Sequence, residues 1–455
     1  MIPGQYLTPA LVHRNAAQGL GGYDRASPPY HAGSDTSADR RTLIIPAMRV
    51  NIGGLGHYTG EETELDLNDA DTWDTLATDY TVPVTRAGMS FSLYACRPTA
   101  GRVPVFKISA SSSAPSGYTT TTSRKIGGFD CLPYVTAPTW TADTVIALNY
   151  VVQPTTPGTN KLLYKCTARS GDYKTHASAE PTWPTTAGET IVDDAITWTC
   201  MANACQNLDA NHPYKNHEMG SIIFNSIWDL WDRPSSDLRQ GMVKNSLTPW
   251  DGVKKQWIDI HLASGTGSSC TSVFNATIKD TVDWFSFAEY GRLQGKRLLY
   301  PHEFQNAAYG GNEETNIARS SDPVSCIFPL DTNGRSMISY IGAIMMCGGL
   351  YQWGLGGGYR FDGATAHTHQ VVASGDPETI TSGAASADVA PAFTWYDLPG
   401  AKGSLFRQGT YGYTEPLFGD SWYNGTNCGS RCRSLGFWPW TANSEVGGRF
   451  LAEPA

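Results

Sequence analysis

Hydrophobic positions in this chain change their period several times, and the changes mark its elements. Between Asp283 and Tyr290 the apolar residues Trp284, Phe287 and Ala288 fall on one helical face, and Gly291 to Arg297 closes that helix. The following stretch, Leu298 to Gly310, sets Pro301 at a helix start and turns Phe304, Ala307 and Ala308 to one side. The pattern predicts two short helices, back to back. Elsewhere the period is two: Lys161–Cys166 and Ala195–Cys200 alternate as strands. They lie between Pro138-Thr139-Trp140 and its echo Pro181-Thr182-Trp183-Pro184. Residues 136–205 therefore read as a small all-β, immunoglobulin-like insert, with Trp140 and Trp183 expected in its core in preference to a sugar-binding role.

The segments on either side of the insert read as consecutive pieces of one larger domain that it interrupts. Pro104–Ala110 and Arg124–Phe129 precede it; Phe224–Pro234, Gly241–Val243 and Trp257–Leu262 follow it. The expected organisation is an arm or assembly segment over 1–48, the first part of a β-rich body over 49–135, the insert over 136–205, and a C-terminal domain over 206–455. Residues 1–48 are rich in Gly, Pro and polar residues with little periodicity, which suits an arm that orders on a partner. Glu62 to Trp73 places acidic residues around Leu65 and Leu67 and reads as a solvated edge.

Composition sharpens this picture and excludes some functions. In 455 residues there are 47 Gly and 27 Pro, with 11% aromatic and only 16% charged residues, so short strands and loops are built around large anchors. A net charge of -9 with no basic stripe argues against a nucleic-acid partner, because phosphate binding needs a cationic face. The longest apolar candidate, Tyr340 to Leu350, falls far short of the roughly 18 residues a membrane span needs. Met1-Ile2-Pro3-Gly4-Gln5-Tyr6 lacks the charged and apolar regions of a signal peptide, so synthesis in the cytoplasm is expected. Ten cysteines are too few for a dense disulfide framework. The C-x3-C pair Cys428 and Cys432 fits a local disulfide, half a metal site or two packed thiols, with packed thiols the simplest reading.

Catalytic and cofactor signatures are scarce. His367-Thr368-His369 would share one strand face, yet no ligand-spaced cysteine or carboxylate is near in sequence. Gly354-Leu355-Gly356-Gly357-Gly358-Tyr359 lacks the Lys-Ser/Thr of a phosphate loop and reads as a turn or close packing. No G-x-S-x-G or H-E-x-x-H is present, and neither are the E-P-N and Q-P-D triplets of calcium-dependent lectins. The expectation is a non-enzyme without cofactor or metal.

The C-terminal end carries the most information. Gly419-Asp420-Ser421-Trp422-Tyr423-Asn424-Gly425, then Gly429-Ser430-Arg431 and Gly447-Gly448-Arg449-Phe450, space glycines and arginines like ribs and fill the gaps with aromatic or short polar residues. This G-x-S-W-x-N-G, G-S-R, G-G-R-F series resembles the variable region of diversity-generating retroelement target proteins, C-type lectin-like binders found on phage tails. In that family the varied codons descend from asparagine codons. Ser421, Tyr423, Ser434, Gly436, Phe437, Thr441 and Ser444 fit the resulting residue spectrum, and Glu445 fits it less well. The resemblance implies a variable region over about 417–450 whose ligand-binding residues are Ser421, Tyr423, Asn424, Thr426, Asn427, Ser434, Leu435, Gly436, Phe437, Thr441, Ser444 and Glu445. Trp438 and Trp440 complete an aromatic patch.

A second resemblance lies upstream. Gly295-Lys296-Arg297-Leu298-Leu299-Tyr300-Pro301-His302-Glu303-Phe304 is similar to the helix pair of formylglycine-generating-enzyme-like domains, and Met346–Trp353 to their following strand, with Gly349 for Asn and Gln352 for Glu. The fold class implied is α+β, a C-type lectin-like domain carrying the small insert. By resemblance, the partner is a host-surface protein or glycan, the assembly a homotrimer joined to other virion tail proteins, and the location the phage tail. Two alternatives stand beside it: a variable binder of cellular origin, and a thiol oxygenase using Cys428 and Cys432.

Overall fold

The structure is a computed structural model that describes residues 22–26, 29–32, 40–74, 78–232, 241–245, 256–356, 358–360, 368–369, 395–397, 403–406 and 412–453. Strands dominate and helices are few and short. The N-terminal body is built from three sheets. Tyr23–Arg25, Met48–Ile52 and Leu55–Tyr58 form one, and His31–Ala32, Thr42–Ile45 and Thr63–Asp66 a second. The third runs Trp228–Asp229, Ser123–Asp130, Ser90–Cys96, Val105–Ser109, antiparallel throughout. Side chains alternating inward from all three meet in one core that includes Tyr23, Leu43, Val50, Trp73, Phe91, Leu93, Ile108 and Phe129. Gly127 and Gly128 are required where strands and side chains crowd: an added Cβ would stand 2.6 Å from Trp228 O at the first and 2.5 Å from Phe91 O at the second.

Two expectations change here. Residues 22–26 and 40–48 are not a free arm; Tyr23, Leu43, Ile45 and Met48 are buried in this core, because strands at 23–25 and 42–45 pair with 48–50 and 63–66. Residues 1–21 lie outside the described part. The insert does interrupt one body, as expected, but the boundary that follows it moves. Ile222 and Ile227 belong to the N-terminal core, so the chain returns to that body after the insert and leaves it near Asp232 instead of at 205.

Residues 136–205 fold as one four-stranded antiparallel sheet, in the order Val151–Val152, Leu163–Arg169, Ile196–Met201, Thr190–Asp193. A second sheet to make an immunoglobulin-like sandwich is not formed; loops cover the other face. The core is its own, with Trp140, Tyr164, Cys166 and Trp198 buried and Trp183 packed against them. Asp193 anchors it: its Oδ2 accepts from the indoles of Trp140 at 2.8 Å and Trp198 at 3.0 Å, and its Oδ1 from His176 N at 3.0 Å. The tryptophans are core residues, as their spacing suggested.

The C-terminal body holds both predicted helices, Trp284–Arg292 and Pro301–Ala308. Asp283 caps the first through Ser286 N, and Glu303 bonds back to Tyr300 N at the second. Phe287 faces inward from the first, and Phe304, Ala307 and Ala308 from the second. The last turn of the first helix needs Gly291, since a Cβ there would lie 2.8 Å from the Phe450 ring. Beside the helices runs a mixed six-stranded sheet, in the order Trp395–Asp397, Ser404–Phe406, Arg433–Ser434, Leu417–Phe418, Tyr351–Trp353, Val446–Gly447. A separate antiparallel sheet of Met242–Lys244, Trp257–Asp259 and Leu451–Ala452 ties the chain end to residues two hundred positions earlier.

Candidate binding surface

Arg449 holds the C-terminal segment from beneath. Arg449 is 1% exposed, and its guanidinium donates five ways: Nε to Gln352 Oε1 (2.8 Å), Nη1 to the carbonyls of Asp259 and Ile260 (3.0 Å each), Nη2 to those of Ile344 (2.8 Å) and Met345 (3.0 Å). Burial lowers its pKa to about 10, still charged at neutral pH. The Asp259 carboxylate is already engaged by Lys296 Nζ at 2.7 Å and Phe450 N at 3.0 Å. Gln352 supplies a neutral acceptor to Arg449 and donates its own amide to Met346 O at 2.7 Å.

Above this layer the loops are fastened at several points. Asp420, at φ 64° and fully buried, accepts from Ser421 N at 2.7 Å and from the Asn424 amide. The Asn424 amide also reaches the Tyr351 hydroxyl at 2.9 Å. Ser430 gives its N–H and hydroxyl to the Glu313 carboxylate, at 2.9 and 2.6 Å, Glu314 N donates to Cys428 O at 2.8 Å, and Asn316 bonds Trp422 O. Trp284 N donates to Pro439 O at 2.8 Å, joining the first helix to the tryptophan turn. A backbone pinned this way loses little entropy when its outward side chains bind something.

Those outward side chains are fewer than the sequence suggested. Tyr423 is 44% exposed and Trp440 59%, while Trp438 stacks on Trp440 with ring centroids 5.8 Å apart and planes 12° from parallel. Thr426 and Ser444 are exposed; Asn424, Asn427, Gly436, Phe437, Thr441 and Glu445 are half-buried. Glu445 accepts from the Tyr423 hydroxyl, and Phe437 leans on Tyr351 with centroids 5.9 Å apart. Ser421, Ser434 and Leu435 differ from expectation, at 0%, 1% and 2% exposure. Ser434 is buried because its strand is internal to the six-stranded sheet, flanked by Phe406 and Leu417. Leu435 follows it inward, and Ser421 bridges Gly349. One neighbour was missed. Phe285 is 52% exposed beside Trp284 and next to the Pro439 contact. Its signal in the sequence is an aromatic residue on the helix face opposite Phe287.

The thiols are arranged for packing. All ten cysteines are free and buried. Cys428 and Cys432 lie fully buried near Asp420, and burial, followed by that carboxylate's charge, drives both pKa values far up. A nucleophilic or oxygen-activating cysteine needs the thiolate, which this setting disfavours. Of the histidine pair, His367 lies outside the described residues, and Thr368–His369 is described only as a strand. Gly354 is a close-packing position: a Cβ there would fall 1.9 Å from the Phe418 ring.

The fold and this surface define a class, a β-rich protein whose C-type lectin-like domain shows its C-terminal loops to solvent. Residues 47–138 match the family described as "Mtd second domain". A tail fiber receptor-binding protein of Bordetella phage BPP-1 is 23% identical over 357 residues, covering 74% of this chain and 71% of that protein. Two solved structures share the fold at 20% identity, each covering 96% of this chain and 87% of its own. They are the Major Tropism Determinant I1 Variant, with a TM-score of 0.53, and the M1 Variant, with 0.54. These likenesses show that the chain shares the fold of the Major Tropism Determinant variants and that its residues 47–138 are similar to the second domain of that family.

Proposed function

We propose that this chain is a phage tail adhesin that attaches the virion to its host through the C-terminal surface. The observation that carries the reading is the conjunction of exposed Tyr423, Trp438 and Trp440 with a backbone tied down by Arg449, Asp420 and Ser430. Large, rigid aromatic side chains give contact area at low entropic cost, and the small polar residues around them give adaptable hydrogen bonds. The name borne by the Bordetella phage relative supports the same role. The partner is a protein or glycan of the host surface. The residues that vary in the binding set are Tyr423, Asn424, Thr426, Asn427, Gly436, Phe437, Thr441, Ser444 and Glu445; Ser421, Ser434 and Leu435 act beneath the surface. A homotrimer would multiply a weak single-site affinity through avidity.

The test is competition. Purified chain, added to the bacterium on which the phage plates, should block adsorption, and the Trp440→Ala variant should block far less. A folded chain that neither binds these cells nor competes removes the proposal. Variation has its own test: repeat copies of the final coding segment differing only at template adenines, beside a reverse-transcriptase gene.

A further inference from the structure

A ridge on the lectin-like body joins the C-terminal loops to the insert. Residues 313–320 are bonded on one side to those loops: the Glu313 carboxylate accepts from Ser430, Glu314 N donates to Cys428 O, and the Asn316 amide donates to Trp422 O. On the other side Arg319 holds the insert. Its Nε donates to the Tyr150 hydroxyl at 2.8 Å and its Nη1 to Thr141 Oγ1 at 3.3 Å, with the guanidinium 5.9 Å from the centre of the Tyr150 ring. Arg319 and Ser320 both take left-handed backbone, at φ 63° and 48°. Neighbouring residues with side chains adopt that conformation where their surroundings enforce it. Here the contacts of Arg319 with the insert do so, together with Ser320 Oγ, which accepts from the Asn316 amide at 2.9 Å.

The ridge is open to solvent. Arg319, Ser320, Ser321 and Asp322 are all exposed, and Val324 is 71% exposed, more than Tyr423 or Trp440. At one end Asp322 lies within electrostatic reach of Glu445, which accepts from the Tyr423 hydroxyl; partial desolvation, then the charges of Asp280 and Glu445, raise the Asp322 pKa. At the other end Ala318 lines a groove of about 340 Å3 with Leu148, Asn149 and Tyr150 of the insert, and Leu148 is 49% exposed. A solvent-facing path therefore runs from Tyr423 to Leu148. Its chemistry favours a protein partner: Val324 and Leu148 have no ring for a sugar to stack on and no group to bond a hydroxyl, but both can pack against apolar side chains. Size points the same way. A stable protein interface takes roughly 20 residues on each side, and the exposed and half-buried members of the C-terminal binding set, with Phe285, Trp438 and Trp440, fall short of that.

We infer that the receptor-binding surface continues from the C-terminal loops across Arg319–Val324 onto Leu148 of the insert, and that a host-surface protein fills it; the inference rests on the adhesin reading. The experiment measures binding of the intact protein to the bacterium on which the phage plates, for the unaltered chain and for Val324→Asp, Leu148→Asp, Trp440→Ala and Val103→Asp, the last on the N-terminal body at 61% exposure. These are surface positions, so thermal melts should nearly coincide; Leu148→Ser, a milder change, guards against a folding defect. Val324→Asp and Leu148→Asp should each weaken binding about tenfold, the loss typical of an interface anchor, Leu148→Ser should weaken it less, and Val103→Asp should leave it unchanged. Proteinase treatment of the cells should abolish binding, and periodate should not. Undiminished binding by either Val324→Asp or Leu148→Asp, with binding lost in Trp440→Ala, would confine the receptor to the C-terminal loops, overturning this inference and leaving the adhesin reading intact. Binding that survives proteinase but is lost to periodate would assign a glycan, with the same consequence. No binding by the unaltered chain removes both.

Discussion

Arg449 donates its Nε to Gln352 Oε1 across 2.8 Å with both residues 1% exposed, so the glycine-arginine rib at 447–449 is locked to the strand Tyr351–Trp353, the fifth of the six-stranded sheet. The remaining four N–H bonds go to backbone carbonyls. Replacing Arg449 by Met takes a buried donor from Gln352 Oε1 and from the Asp259 and Ile344 carbonyls, while Ile260 O keeps Ile344 N, and the cost should be about 3 kcal/mol or more. Gln352→Leu should cost less, about 1–3 kcal/mol, because it strands fewer groups. Denaturant unfolding checks the order; equal stability of Arg449→Met and the unaltered chain would mean the rib is dispensable.

The exposed and buried members of the C-terminal segment should separate in two assays. Tyr423→Ala and Trp440→Ala are expected to change stability by no more than about 0.5 kcal/mol, since they are surface positions, and to weaken host-cell binding strongly. Leu435→Ala should instead cost about 2–3 kcal/mol as a core truncation, and Ser434→Tyr about 1–3 kcal/mol by overpacking an internal strand. Tolerance of tyrosine at 434 with unchanged melting would show that this position faces out.

The thiols supply a third prediction. Cys428 and Cys432 are fully buried and their thiolates disfavoured, so iodoacetamide at neutral pH should label neither in the native protein and both after unfolding. Rapid native labelling of Cys432, read by peptide mass spectrometry, would revive the thiol-oxygenase alternative.

Acid sensitivity follows from His261. Its folded pKa of about 3 lies below the ordinary 6.5, so the unfolded chain binds the proton first. The contribution is complete above pH 6.5 and is lost as pH falls toward 3, at about 1.4 kcal/mol per pH unit at most. His261→Leu should therefore flatten the decline in unfolding midpoint between pH 7 and pH 5. An unchanged slope would mean that other groups carry it.

What the sequence disclosed was local. Asp283, Pro301 and the spacing of Phe287, Phe304 and Ala307 announce two helices because caps and one-sided faces are written within a few residues. Arg449 was legible as a fixed point, and Tyr423 and Trp440 as outward residues. The burial of Ser434 was hidden, because it depends on a parallel pairing with Phe406, twenty-eight positions earlier, which no local pattern encodes. The insert misled for a related reason: alternation identifies strands such as Leu163–Arg169 but not how many sheets they build. Tyr23 reads as part of a polar arm until its pairing with Val50 is seen.

The central claim is that the host is met by Tyr423, Trp438 and Trp440, with Phe285 at their edge. Hydroxyl-radical footprinting of the intact protein, with and without envelopes of the host bacterium, reads this directly. The account predicts protection of these four aromatic side chains while Tyr58, exposed on the N-terminal body, stays equally reactive. Protection of Tyr58 with Tyr423, Trp438 and Trp440 unchanged would contradict it.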